Sequence, residues 1–513
     1  MDLSFDCIVA GSGHAGSCAA LSAIDAGCKR VLVIEKGPPE WVGGNGYFTA
    51  GAHRTVHGGL QDLLPIVRNA TAEVASTTDM DPYSAEEFTA DIMRLGNNQS
   101  DPTIVRAVVD GSRDAIGWLA ERVHIPFIFS FHRQAYLVNG RHKFWGGMVL
   151  SVEDGGKGLI AAHQQALEKA GVTVWYDTPA VELKLDHGHI SGVVVIRNGE
   201  RLQLSAPAVV LACGGFESSV DLRAKYLGSD WERAKVRGTP YNTGDGLSLA
   251  HSIGGQLAGD FAHCHSTCWD ANAPADRGDR VLSNQFTKSG YPLGLMLNTQ
   301  GRRFVDEGQD FRNYTYAKFG REILRQPGGY AFQVWDARAS GWLRMEEYGD
   351  DVVDKVSAAS VTELAEKLQA KGLEDADAFI ETVAAYNRTV TAFDEEHPSV
   401  KWDPAVKDGL STQSTRESLK LPKSNWALPL DKPPFLAVKV ACGITFTFGG
   451  LAIDPDTAAV ISEKTGQAIP GLFCAGELVG GVFYGNYPGG SGLTAGAVFG
   501  RKAGRGAARV MRS

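Results

Sequence analysis

The 513-residue chain has no apolar run approaching the ~18 residues that a membrane-spanning helix needs, so no transmembrane segment is expected. Its opening, MDLSFD, lacks the basic start of a secretory signal and leads straight into a strand, which predicts a cytoplasmic protein. The eight cysteines include no C-x-x-C pair, no haem-attachment CxxCH and no iron–sulfur spacing. That excludes a disulfide scaffold and a built-in metal relay. HCHSTC at 263–268 is not joined by a second ligand cluster, so no metal is expected. Long basic runs are also missing. With 50 Lys+Arg against 59 Asp+Glu, a net charge of −9 makes nucleic acid a poor partner. Local cations can still hold a small anion.

Glycine is plentiful: 61 residues, well above the usual ~7%, with no Gly-X-Y period. The excess is local. Residues 5–10 (FDCIVA) read as a buried parallel strand, 14–26 as a helix and 31–35 (VLVIE) as a second strand, which together form a βαβ unit. GSGHAG at 11–16 joins the first strand to the helix. Gly11 permits the tight turn, Gly13 admits a pyrophosphate to the backbone, and Gly16 brings helix and strand close. The helix start at His14 and Ala15 offers N–H groups to the diphosphate. Glu35, followed by Lys36, ends the second strand where a carboxylate accepts from ribose hydroxyls. Three further glycine-rich strings follow: GGNGYFTAG at 43–51, VVLACGGF at 209–216 and CAGELVGG at 474–481. A cofactor touched from both ends and the middle of the chain is long. No second fingerprint is present, so FAD is expected rather than a separately bound NAD.

Residues 263–435 are more polar and aromatic. Ser360 and Glu363 form a capping box, and 376–394 reads as a helix. The expected fold is α/β: a Rossmann-like FAD-binding domain of the glutathione-reductase type (1–262 and 436–513), interrupted by an α+β capping domain (263–435). Asp101, with Pro102 behind it, caps a helix over 101–122.

These strings resemble the flavoprotein superfamily of fumarate reductases and succinate dehydrogenases along nearly the whole chain. The resemblance implies that Gly11, Gly13, Gly16 and Glu35 hold the ADP part of FAD. It brings Gly44, Asn45, Gly46 and Gly51 to the flavin, and puts Gly214 and Gly215 near the adenosine. NTGDG (Asn242, Gly244, Asp245) is another shared motif. Gly476 and Glu477 meet the ribityl or ribose region, and Ser491, Gly492 and Leu493 meet the isoalloxazine at a helix start. Covalent relatives carry a flavin-linking His where Asn45 stands, so non-covalent FAD is expected. Within the superfamily, GRRFVDEGQDFRNYTYA at 301–317 and GELVGGVFYGNYPGGSGLTAGAVFGRKAG at 476–504 most resemble the tricarballylate dehydrogenases.

Two features depart from the fumarate reductases. Their two-His segment reads ITFTFGG here, with Thr445 and Phe446, and their late Arg is replaced by Asn486 and Tyr487. Both missing groups clamp a C4 dicarboxylate, which disfavours fumarate and succinate. HST at 265–267 keeps the counterpart of the His that binds a substrate carboxylate, and Arg312 is the nearest match to the Arg that transfers the proton. Flavin dehydrogenation of a CH–CH bond removes a hydride to N5 and an adjacent proton made acidic by a carbonyl or carboxylate. The expected function is such a reaction, or its reverse, on a small carboxylate or ketone. His265, Arg312 and Tyr487 are the candidate catalytic groups. Arg312 either serves the proton or pairs with Asp306, Glu307 or Asp310. Tyr487 donates a hydrogen bond to a substrate carbonyl, acts as base, or packs over the flavin or the domain interface. Arg141, His142 and Lys143 either form a solvated turn or reach the site. Two alternatives remain. One is a 3-ketosteroid Δ1-dehydrogenase-like desaturase using Tyr487 with Tyr316 or Tyr136. The other is a flavoprotein module that turns over only with an electron-transfer partner.

Overall fold

The structure, a computed structural model, describes residues 3–403, 406–409 and 412–512. The chain forms two compact units, Met1–Ser229 with Arg237–His265 and Thr445–Ser513, and Asp230–Val236 with Ser266–Ile444.

The first unit is built on a sheet that is parallel except at one edge, where its last two strands pair antiparallel. Its strands are β1 (Cys7–Ala10), β2 (Val31–Ile34), β3 (Thr173–Trp175) and β4 (Val209–Leu211). Two long strands, β5 (Leu257–Asp270) and β6 (Phe435–Leu451), run through the boundaries between the units. β7 (Ala459–Ile461) and β8 (Ala468–Cys474) then complete the sheet. The order is β7–β8–β4–β1–β2–β3, with β1 flanked in parallel by β2 (Cys7↔Val31) and β4 (Ile8↔Val209). β1 and β2 are buried along their whole length, as expected of inner parallel strands whose sequence is continuously apolar. Helix α1 (His14–Asp25) follows β1, α2 (Gly155–Lys169) precedes β3, and α3 (Ser491–Val510) follows β8. α1 and α3 touch backbone to backbone. A Cβ on Gly500 would lie 2.6 Å from Ala15 O, and one on Gly504 2.3 Å from Ala19 O. Small residues on both helices permit that approach.

Asp101 caps the helix Pro102–Trp118 by accepting from the backbone N–H groups of Thr103 and Ile104. The α-helix stops earlier than the sequence predicts. Residues Leu119–Val123 form a π turn, and His124 (φ 61°) ends it.

The second unit has an antiparallel sheet in which β6 pairs with Tyr330–Trp335, which pairs in turn with Leu295–Leu297. Helices Val361–Gln369 and Ala376–Glu396 bury Leu364, Leu368, Phe379, Val383 and Tyr386 against that sheet's Leu295, Leu297, Phe332 and Val334. The capping box is shifted by one residue. Ser360 accepts from Glu363 N, while the Glu363 carboxylate takes the N–H of Ala359 rather than Ser360. Among the described residues no helix is long and apolar enough to cross a membrane.

Candidate functional site

The fingerprint turn is dictated by contact. Gly11 has φ 112° and its Cβ would stand 2.2 Å from Ala212 O; a Cβ on Gly16 would stand 2.0 Å from Gly11 O. Gly13 differs: its added Cβ meets only Gly43 O, at an ordinary 3.6 Å. The first two are required by the fold itself, whereas Gly13 leaves room for something outside it. α1 begins with no side-chain cap at Gly13 and no acidic residue in its first turn. α3 likewise starts without a side-chain cap, after Gly490 at φ 83°. Two uncapped helix starts of one unit meet here, because His14 Nε2 donates to Leu493 O at 3.0 Å. Ala15 adjoins Gly476, whose Cβ would come 2.8 Å from that of Ala15. Such paired N-termini attract an anion. Ser491 and Gly492 lie on the same first turn of α3, and a Cβ on Gly492 would approach the Phe446 ring at 3.5 Å.

At the end of β2, Glu35 Oε2 accepts from the N–H (2.9 Å) and hydroxyl (2.6 Å) of Ser12, and Oε1 accepts from Gly37 N. Lys36 Nζ donates to Asp245 at 2.7 Å and to Thr243. Gly244 (φ 84°) turns the chain into the helix Asp245–Ser252. The acid and the NTGDG motif therefore share one corner.

A second cluster joins the other strings. Asn45, on the 3-10 turn Gly44–Phe48 that includes Gly46, donates from Nδ2 to Glu217 Oε1 and Thr445 O, and its Oδ1 accepts from Thr239 N at 2.9 Å. Asn242 Nδ2 donates to the same Glu217 oxygen at 2.6 Å. Glu477 Oε1 accepts from the N–H (2.7 Å) and hydroxyl (3.0 Å) of Thr447. Gly214 and Gly215 make room: a Cβ would stand 2.4 Å from Asn242 Nδ2 at the first, and 2.0 Å from Thr447 Oγ1 at the second. Gly51 (φ 68°) passes close to Val152 and takes a hydrogen bond from His53 Nδ1 at 2.9 Å. Burial pushes the Glu217 carboxyl up to about 6. Burial and then the Glu217 charge hold Glu477 well above the usual carboxylate range.

The third cluster surrounds Tyr487. Its ring packs edge-on against His265 (5.0 Å between centroids), Phe446 (5.6 Å) and Phe448 (6.0 Å), and lies 5.2 Å from Phe483. Arg237 Nη1 lies 3.4 Å from both His265 Nε2 and Thr445 Oγ1. Burial and then the guanidinium hold His265 well below the usual imidazole range, so it is neutral at physiological pH. The turn before Tyr487 is pinned by Asp260, which accepts from Gly485 N and pairs with His263, both at 2.8 Å.

HCHSTC thus sends His263 to Asp260 and His265 to Arg237 and Tyr487, with no convergence on an ion. Among the described residues one His/Cys group gathers donor atoms within 4.8 Å: His14, Cys18 and His163. His14 Nδ1 and His163 Nε2 share a 2.8 Å hydrogen bond, shorter than the about 3.3 Å that two nitrogens on one tetrahedral zinc require.

Arg312 lies in the second unit as the first residue of the helix Arg312–Leu324. Of the acids named beside it, Asp306 accepts from Ser424, Glu307 from Arg303, and Asp310 from Lys407. Arg141 pairs with Asp79 at 2.6 Å on an exposed hairpin with His142 and Lys143, which is the solvated alternative. The side chains of Tyr136 and Tyr316 lie outside the described residues. Sequence reasoning missed Glu217, Arg237, Thr239 and Thr447. Glu217 directly follows GGF, and Arg237 stands just ahead of NTGDG, so position within known strings was the available signal.

The chain matches the family described as "FAD binding domain" over residues 6–63 and 66–493. It is 29% identical over 514 residues to a fumarate reductase (cytochrome) of Shewanella frigidimarina, covering 98% of this chain and 77% of that one. It is 27% identical over 515 residues to an NADH:fumarate oxidoreductase of Klebsiella pneumoniae (strain 342), covering 99% of this chain and 48% of the relative, so it spans about half that protein's length. A 4-oxocyclohex-2-ene-1-carboxylate 5-dehydrogenase of Sinomonas cyclohexanicum is 29% identical over 379 residues, covering 69% and 60% of the two chains. The solved open conformation of a flavocytochrome c3 fumarate reductase superposes with a TM-score of 0.73 at 25% identity, covering 99% of this chain and 79% of that one.

Proposed function

The chain belongs to the FAD-binding-domain family of oxidoreductases, and on that premise we propose that it oxidises a CH–CH bond next to a carbonyl or carboxylate, or reduces the corresponding alkene. Bound FAD supplies the two-electron acceptor that takes the hydride. The residues fit a long dinucleotide. Gly13 leaves its backbone open, two uncapped helix starts are suited to a diphosphate, and Glu35 presents a carboxylate whose outer lone pairs suit ribose hydroxyls. Gly44, Asn45, Gly46, Gly51, Gly214, Gly215, Asn242, Gly476, Glu477 and the α3 start would hold the rest. Asn45, where covalent relatives carry the flavin-linking His, has no nucleophile, which supports a cofactor held without a covalent bond. Eight free thiols suit a reducing compartment such as the cytoplasm. Re-oxidation falls to a diffusible acceptor or a protein partner.

The single observation that carries the substrate class is the wall around Tyr487. Phe446, Phe448 and Phe483 make it aromatic, and Arg237 with neutral His265 makes one end of it cationic. A flat ring with a carbonyl or one carboxylate suits that wall better than a C4 dicarboxylate. In this reading Arg237 faces the oxygen where charge develops, His265 donates a hydrogen bond without adding charge, and Tyr487 or Arg312 moves the proton. The Sinomonas relative's named substrate, a cyclic keto acid, combines both features. The second reading, a tricarballylate-like polycarboxylate, rests on Arg312 as an added cation. Anaerobic bleaching near ~450 nm tests both, because reduced flavin loses that band. Cyclic ketones and keto acids should bleach the flavin and polycarboxylates should not. Bleaching by polycarboxylates alone would replace the first reading with the second.

A further inference from the structure

Glu217 is wholly buried on the segment after β4, outside every fingerprint position. Its Oε1 accepts from the amides of both Asn45 and Asn242, its Oε2 makes no hydrogen bond of ordinary geometry, and its carboxyl adjoins that of Glu477. Two ionised carboxylates that adjoin in a dry site repel strongly, and each costs several kcal/mol to desolvate. Glu477, the backbone N–H of Glu217 itself, Asn242 and Asn45 act on Glu217, and Glu217 and Thr447 act on Glu477. Arg237 on the neighbouring segment places Nη1 3.4 Å from Thr445 Oγ1 and from His265 Nε2. Two adjoining buried carboxyls are relieved when one of them holds a proton.

The hydrogen-bond directions show what the pair holds in place. Thr239 N can only donate, so it fixes Oδ1 of Asn45, and Nδ2 must then face Glu217 and Thr445 O. Thr447 N likewise fixes Glu477 Oε1 as an acceptor. We propose that Glu217 is a positioning residue for the flavin: one proton held between Glu217 and Glu477 lets the carboxyls stand together, and so fixes Asn45 and Glu477. This rests on the flavin reading above. The proton is favoured in the assembled site, so the arrangement is intact at lower pH and is lost as pH rises through the raised titration of the pair.

The test uses the full-length holoprotein, diluted at pH 6.5 to 9, with released flavin read by its fluorescence. Wild type should release FAD about tenfold more readily at pH 9 than at 6.5, as one unit of like-charge coupling implies. Glu217→Gln carries its own hydrogen-bond donor toward Glu477. It should bind FAD within about threefold of wild type at pH 6.5 and keep that affinity to pH 9. Glu217→Ala should bind about tenfold more weakly at pH 6.5, in line with a lost buried hydrogen bond. If Glu217→Ala does not fold, the flat profile of Glu217→Gln decides. Wild-type affinity and wild-type pH dependence in Glu217→Gln would overturn the proposal. So would loss of flavin in Glu217→Gln equal to that in Glu217→Ala. A wild-type chain that holds no flavin at any pH would instead remove the reading beneath it.

Discussion

Arg237 Nη1 stands 3.4 Å from His265 Nε2, so the charge beside Tyr487 belongs to the guanidinium and not to the imidazole. Arg237→Gln removes that charge and leaves the fingerprint untouched. Flavin content should stay within error of wild type, while kcat/KM falls about 100-fold, the worth of a buried charge-assisted hydrogen bond. Unchanged kcat/KM would take Arg237 out of the site.

Tyr487 and Arg312 are the two groups proposed to move the proton. Tyr487→Phe keeps the ring in its aromatic cluster and removes only the hydroxyl. If the hydroxyl moves the proton, kcat drops about 100-fold or more, and Arg312→Ala costs far less. If Arg312 is the group, the order reverses. Single-turnover flavin reduction in the two variants decides between them, with flavin content as the control.

The fingerprint glycines separate stability from binding. Gly16→Ala places a Cβ 2.0 Å from Gly11 O, a backbone atom that cannot swing aside. It should cost about 3 kcal/mol and lower Tm with or without FAD. Gly13→Ala makes only a 3.6 Å contact. It should keep the wild-type Tm of the flavin-free chain and weaken FAD binding about tenfold or more. Calorimetry with a flavin assay measures both.

Three buried imidazoles set an acid limit. Burial is the leading cause in each: it lowers His53 to about 4 and His163 to about 3, and holds His14 well below the ordinary range. Unfolded histidine titrates near ~6.5. These groups therefore give stability that is complete above that pH and is lost as pH falls toward the folded values. The unfolding free energy should drop steeply between pH 6.5 and 4. His163→Gln should flatten the slope by about one proton, ~1.4 kcal/mol per pH unit. An unchanged slope would contradict the neutral state assigned to His163.

The nucleotide-binding half was legible because its signals are local. A buried apolar run, a glycine turn and a terminal acid fix β1, α1 and β2 within two residues of the observed ends. The end of the helix at Trp118 was not legible, since nothing in LAERV marks a change from α to π pairing. The Tyr487 wall was half legible. The missing cations could be read as absences, but Arg237 reaches His265 only through tertiary pairing. Glu217 was invisible because an acid after GGF looks like any exposed turn residue until Asn45, Asn242 and Glu477 close around it.

The glycine-on-backbone seam between α1 and α3 carries a consequence for synthesis. α1 is synthesised before the whole second unit, and the surface it lies on only after it. Until Val510 has been made, the fingerprint helix has no partner at Ala15 and Ala19, and β4 has no β8 beside it. The nascent chain thus carries an unfinished nucleotide cradle through translation of the whole second unit, with apolar β1 and β4 in need of chaperone cover. Flavin loading must come after α3 is released, so chains truncated before α3 should accumulate colourless and aggregated rather than partly loaded.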